Sequence, residues 1–247
     1  PQARAVALAA VAPYLAPEAR GDAVVGEIAA ALAVADPYER VLSLVELAPH
    51  LGDELRAEAL AAAVEGVRDI PEPGERSRAL VFLAPHLTET LLDPALNQAL
   101  AIRDPLERVP ALGALMPHLT PLEREHVARE VIGWARAARP AHHRASLLAA
   151  VAQVLPDSLL GEAVAVAERI DTPYDRLHVL AALIPRQPER LRDLALEAAQ
   201  EIPNRYQRVN ALLELVPRTG SAPRYPILDQ ALSTALGIED DYDRASA

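Results

Sequence analysis

Three histidines recur in one short context, which makes them the first residues to test for chemistry. They stand in Leu47-Ala48-Pro49-His50-Leu51, Leu83-Ala84-Pro85-His86-Leu87 and Leu115-Met116-Pro117-His118-Leu119. Imidazole is a common metal ligand, but these three fall in equivalent turns of successive segments. Packed helices lie roughly 8 to 10 Å apart, whereas a metal holds a His nitrogen at about 2 Å. One ion cannot span them, so the expectation is that they cap or pack their turns. His142-His143 forms a doublet with no Cys and no acid at ligand spacing, and it is read in the same way.

A second concentration of chemistry-bearing residues runs from Arg124 to Arg144. It holds Arg124, Arg129, Arg136, Arg139 and Arg144, three histidines and the single Trp, Trp134, against Glu125 and Glu130. In a chain of net charge -11 this is a local reversal of sign. Trp beside Arg is a common interface composition. Arg124, Arg129, Trp134, Arg136 and Arg139 are therefore the candidate partner-binding residues, with an acidic protein or peptide surface as the expected partner. The alternative is that Trp134 fills a gap between helices.

No Gly-rich phosphate loop, Ser/His/Asp order, paired-carboxylate pocket or His-Glu-x-x-His run is present. The absence of cysteine excludes disulfides, zinc thiolate sites and thiol nucleophiles. No cofactor or metal is expected, and the chain is read as a non-enzyme.

The elements that must position these residues are set by a repeat. Arg4, Arg40, Arg76, Arg108, Arg144, Arg176, Arg208 and Arg244 are separated by 36 or 32 residues throughout. Leucine stands four residues after the first seven of them: Leu8, Leu44, Leu80, Leu112, Leu148, Leu180 and Leu212. Val11, Leu47, Leu83, Leu115, Val151, Leu183 and Leu215 stand seven residues after, which completes an apolar stripe on one helix face. Proline follows nine residues after the arginine except at Gln153, and is expected to stop the helix there. Asp36-Pro37-Tyr38-Glu39, Asp104-Pro105-Leu106-Glu107 and Thr172-Pro173-Tyr174-Asp175 each offer a cap, a Pro at the first helical position and an acid at the third. A second helix follows in each segment, as at Thr120-Pro121-Leu122-Glu123, through Glu54 to Val67, and through Leu191 to Glu201. Four residues make about one helical turn, so the longer period extends the second helix without rotating its apolar face.

The expected fold is all-α: a right-handed α-solenoid of about seven helix-turn-helix repeats of 32 to 36 residues, forming one domain over 1–247. The repeats run approximately over 1–35, 36–71, 72–103, 104–139, 140–171, 172–203 and 204–238, with the start of an eighth at 239–247. The apolar segment Ala5 to Ala12 and the opening Asp241-Tyr242-Asp243-Arg244 read as cut ends of a longer protein. Arg40, Arg76, Arg108, Arg144, Arg176 and Arg208 are expected to form a structural ladder to carboxylates of neighbouring repeats.

Hydrophobic residues make up 51% of the chain and aromatic ones 3%, which suits close helix packing by Leu, Ala and Val. One Trp, one Phe and six Tyr are too few to line the cavity of an α/α-toroid enzyme, the main catalytic alternative. The acidic balance of 35 against 24 argues against nucleic acid. No apolar run approaches the roughly 20 residues of a membrane span, and no signal-peptide pattern opens the chain. All 24 basic residues are Arg, the mark of a GC-rich source, and a cytoplasmic location is expected. Unequal periods and drifting motifs, such as Arg186 and Arg218 in place of the His, argue against a designed repeat protein.

The Asp-Pro-x-x-Arg junction with its leucine stripe resembles HEAT repeats. The repeat length resembles tetratricopeptide repeats, although their Trp, Leu-Gly and Tyr signature positions are not filled. The Leu-Ala-Pro-His-Leu segments resemble Ala/Leu-rich arrays of large bacterial multidomain proteins, including STAND (NACHT-type) signalling ATPases. That resemblance implies a sensor or scaffold array that contacts a protein or peptide partner while the chemistry resides in other domains.

Overall fold

A computed structural model describes Gly26 and residues 28–218 and 224–238. The segments at Ala5 to Ala12 and Asp241 to Arg244 lie outside the described residues. The described residues are helical throughout, with no strand among them. After a helical stretch at 28–32 come twelve α-helices. The first five are α1 (Pro37–Leu47), α2 (Asp53–Gly66), α3 (Pro73–Leu83), α4 (Glu89–Leu100) and α5 (Pro105–Leu115). Then follow α6 (Pro121–Ala137), α7 (Ala141–Val151), α8 (Asp157–Glu168), α9 (Pro173–Leu183), α10 (Pro188–Gln200), α11 (Arg205–Leu215) and α12 (Arg224–Leu236).

Every helix that carries a repeated arginine is 11 residues long and starts three residues before it: α1, α3, α5, α7, α9 and α11. Constant length follows from constant punctuation. Asp36 accepts a hydrogen bond from the Glu39 amide at 2.9 Å, Asp104 from that of Leu106 at 2.9 Å, and Asn204 from that of Gln207 at 2.9 Å. Thr172, which the sequence also offers as a cap, makes no side-chain cap bond. Its helix starts on the fixed φ of Pro173 alone.

At the other end the proline converts the helix rather than stopping it at the preceding residue. Ala48 keeps αR geometry, and Ala48–His50 continues as a 3-10 turn. Ala84–His86, Met116–His118, Ile184–Arg186 and Val216–Arg218 do the same. The segment at Gln153, which lacks the proline, has no such 3-10 turn. Two prolines run against the expectation that proline marks only boundaries, since Pro94 and Pro110 lie inside α4 and α5. Both are exposed, so water can reach the carbonyl that each leaves without an amide donor.

The longer period resides in the second helices. In the 36-residue intervals α2 spans 14 residues plus a 3-10 turn and α6 spans 17, whereas α4 and α8 in 32-residue intervals span 12 each.

The chain divides into two compact units, one ending at Thr120 and the other beginning at Pro121. In the first, α1 packs on α3 and α3 on α5, while α2 packs on α4. In the second, α7 packs on α9 and α9 on α11, while α6 packs on α8. Within each unit, then, helices of like position touch, and each also packs against its hairpin mate. The core of both units is the leucine stripe: Leu44, Leu80, Leu112, Leu148, Leu180 and Leu212 are all buried. Burial of such a row against two neighbours is what a single hairpin cannot provide.

Candidate functional site

The repeated arginines share one acceptor, and it is a backbone carbonyl six residues upstream. Arg40 donates to Val34 at 3.1 Å, Arg76 to Ile70 at 2.9 Å and Arg108 to Ile102 at 2.6 Å. Arg144 donates to Ala138 at 3.5 Å, Arg176 to Ile170 at 3.0 Å and Arg208 to Ile202 at 2.9 and 2.6 Å. These carbonyls sit in the linker that leaves the preceding second helix, so each guanidinium fixes the angle at which one hairpin enters the next. Carboxylates are additional partners at Arg40, which meets Asp69 at 3.5 Å, and at Arg176, which pairs with Glu201. The weakest clamp, at Arg144, follows the exposed Arg139-Pro140 segment instead of a buried Ile linker, and its Nε has no hydrogen-bond partner.

The turn residues divide similarly. His50 and His118 are exposed and His86 half-buried at the ends of their 3-10 turns. His142 and His143 meet edge to face, 4.5 Å between ring centres. Among the described residues no three His, Asp or Glu side chains cluster in a way that could hold a metal. Arg186, which stands where the earlier turns have His, donates to the carbonyls of Gln153 at 3.0 Å and Leu155 at 2.7 Å and pairs with Asp157. Gln153 in turn donates to the Ala182 carbonyl. The two departures from the repeat pattern thus compensate each other, tying the α7–α8 turn to the end of α9.

The segment from Arg124 to Arg139 does not form one face. Residues on a helix advance about 100° per position, which puts Arg129 and Arg136 on one side and Arg124 on the side of the buried Val127, Ala128 and Val131. Trp134 is half-buried at the edge of that packed side. Arg129 pairs with Glu125 at 2.6 Å, and Arg136 pairs with Glu162 of α8. Arg139 is exposed beyond the end of α6. Arg129 and Arg136 are thus already neutralised within the chain.

The first unit carries a groove that the sequence alone did not single out. It is an open hollow of about 810 Å³ along the first helices, bounded by Tyr38 of α1, by α3 from Pro73 to Phe82, and by Asp104, Glu107 and Pro110 at α5. Val81 is 40% and Phe82 47% exposed there, side by side on one wall. Arg78 lies 5.8 Å over the Tyr38 ring and 3.7 Å from Glu75. The available signal was at the position one residue after the repeated arginine. Val41, Val109, Ala145, Leu177 and Val209 are buried aliphatics, but in α3 the residue is Ser77. Ser77 is 3% exposed on the groove wall, and its Oγ has no hydrogen-bond partner. The other buried serine, Ser43, donates to the Glu39 carbonyl at 2.8 Å.

The second unit has a smaller apolar hollow of about 490 Å³ between α11 and α12, walled by Leu213, Leu228, Leu232 and Leu236. No helix among the described residues is long and apolar enough to cross a membrane. Comparison with family models, with curated proteins and with solved structures gives no match to this chain.

Proposed function

We propose that the chain is a non-catalytic interaction scaffold, a right-handed α-solenoid of about seven helical hairpins that serves a larger bacterial signalling protein as a partner-binding or sensor array. Supporting the architecture are the constant 11-residue first helices, the like-on-like packing within each unit and the arginine clamp at every junction. The observation that carries the function is the groove along α1, α3 and α5, where Val81 and Phe82 stand exposed among polar residues. Exposed apolar side chains rimmed by charge mark interaction surfaces, and stacked helical pairs bind partners along such extended faces. This groove is favoured over α6, whose Arg129 and Arg136 already have carboxylate partners.

The test is selection of peptides from a random display library on the protein, followed by measurement of the selected peptides on a Phe82→Ser variant whose helicity matches the parent by circular dichroism. Peptides that bind the parent at least tenfold more tightly than Phe82→Ser are the expected result. Selected peptides that bind both forms equally overturn the assignment of this groove.

A further inference from the structure

The groove is not chemically neutral. Four carboxylates, Glu72, Glu75, Asp104 and Glu107, border it against one guanidinium, Arg78. Glu75 is occupied by Arg78, and Asp104 by the Leu106 amide. Glu72 and Glu107 have no ion pair among the described residues. Glu107 also occupies space that α3 leaves open for it: a Cβ on Gly74 would lie 2.9 Å from its Oε2. The carboxylate therefore lies against the first turn of α3 at the border of the groove. Beside these anions stand the apolar pair Val81 and Phe82, and on the wall between them lies Ser77, buried with an unused hydroxyl. Aliphatics fill the equivalent position in the other five helices that carry the arginine.

We infer that the groove docks a cationic segment of a partner protein, with Arg or Lys against Glu72 and Glu107 and an aliphatic or aromatic side chain against Val81 and Phe82. The inference rests on the scaffold reading and specifies its partner. An acidic segment is disfavoured, because two uncompensated carboxylates repel it at close range.

The experiment measures fluorescence anisotropy of two labelled octapeptides, one of alternating Arg and Leu and one of alternating Glu and Leu, at low and high salt. The Arg-Leu peptide is expected to bind at least tenfold more tightly than the Glu-Leu peptide, and to weaken as salt screens the contact. The double variant Glu72→Arg, Glu107→Arg is expected to weaken it at least tenfold. A matched double variant in the other unit, Glu168→Arg, Glu197→Arg, changes the net charge equally and is expected to alter binding less than twofold. Equal weakening by both pairs means generic attraction to an acidic protein and overturns the inference. Tighter binding of the Glu-Leu peptide, lost in Phe82→Ser, overturns the cationic partner while leaving the scaffold reading standing. If neither peptide distinguishes Phe82→Ser from the parent, the groove assignment falls together with the inference.

Discussion

Arg208 donates two hydrogen bonds to the carbonyl of Ile202, six residues upstream, and thereby joins the start of α11 to the linker that leaves α10. The same relation, residue to sixth preceding residue, holds at all six described arginines of the series.

Removal of this clamp has a predictable cost. A hydrogen bond from a charged group contributes about 1.5 to 3 kcal/mol, so Arg208→Ala is expected to destabilise the protein by roughly that amount in urea unfolding. Arg208→Lys keeps the charge but lacks the planar fork, and should lose about half as much. Arg68→Ala, whose side chain is 68% exposed, should change stability by less than about 0.5 kcal/mol. Equal effects at Arg68 and Arg208 would contradict the clamp.

The leucine stripe gives a second series. Leu44→Ala, Leu80→Ala and Leu180→Ala each empty a buried site, and each is expected to cost about 2 to 5 kcal/mol. Leu122, 80% exposed, should tolerate alanine with little change. Costs below about 1 kcal/mol at all three stripe positions would show that the stripe is not core.

A pH-dependent contact joins α9 to α11. His178 Nδ1 lies 3.2 Å from a Glu214 carboxylate oxygen. That hydrogen bond raises the His178 pKa above its ordinary 6.5 and holds Glu214 below its ordinary 4.5. The histidine contribution is therefore fully present below about pH 6.5 and is lost as pH rises through the raised folded value. The glutamate contribution is present above its ordinary range and is lost as pH falls through the lowered folded value. Because His178 is 45% exposed, solvent screening limits the effect to the ~1 kcal/mol of a surface pair. Wild type should melt higher than His178→Gln at pH 5.5, with the difference disappearing by pH 8.5. An advantage that grows toward pH 8.5 would have the wrong sign.

The elements were far more legible than the site. Among the described residues, the Arg, Leu and Pro spacings locate every first helix because each is a type-specific requirement: an apolar face, a fixed φ, a cap. The acceptor of the arginines was not legible, since every residue has a carbonyl, and the only trace was an aliphatic six positions upstream, as in Ile70, Ile102, Ile170 and Ile202. The cluster from Arg124 to Arg139 shows the opposite failure. Its residues are close in sequence, but the pitch of α6 sends Trp134 and Arg129 to different sides, and the packing of α8 on α6 brings Glu162 to Arg136. The groove was hidden for a third reason. Its carboxylates come from two separated segments, Glu72 with Glu75 and Asp104 with Glu107, which only the packing of α3 on α5 brings together.

Phe82→Ser supplies the most direct measurement, because Phe82 is the large apolar side chain that the groove leaves exposed. At helicity matched to the parent, the variant should bind the Arg-Leu octapeptide at least tenfold more weakly. Equal binding to both forms would show that the groove is not a docking site.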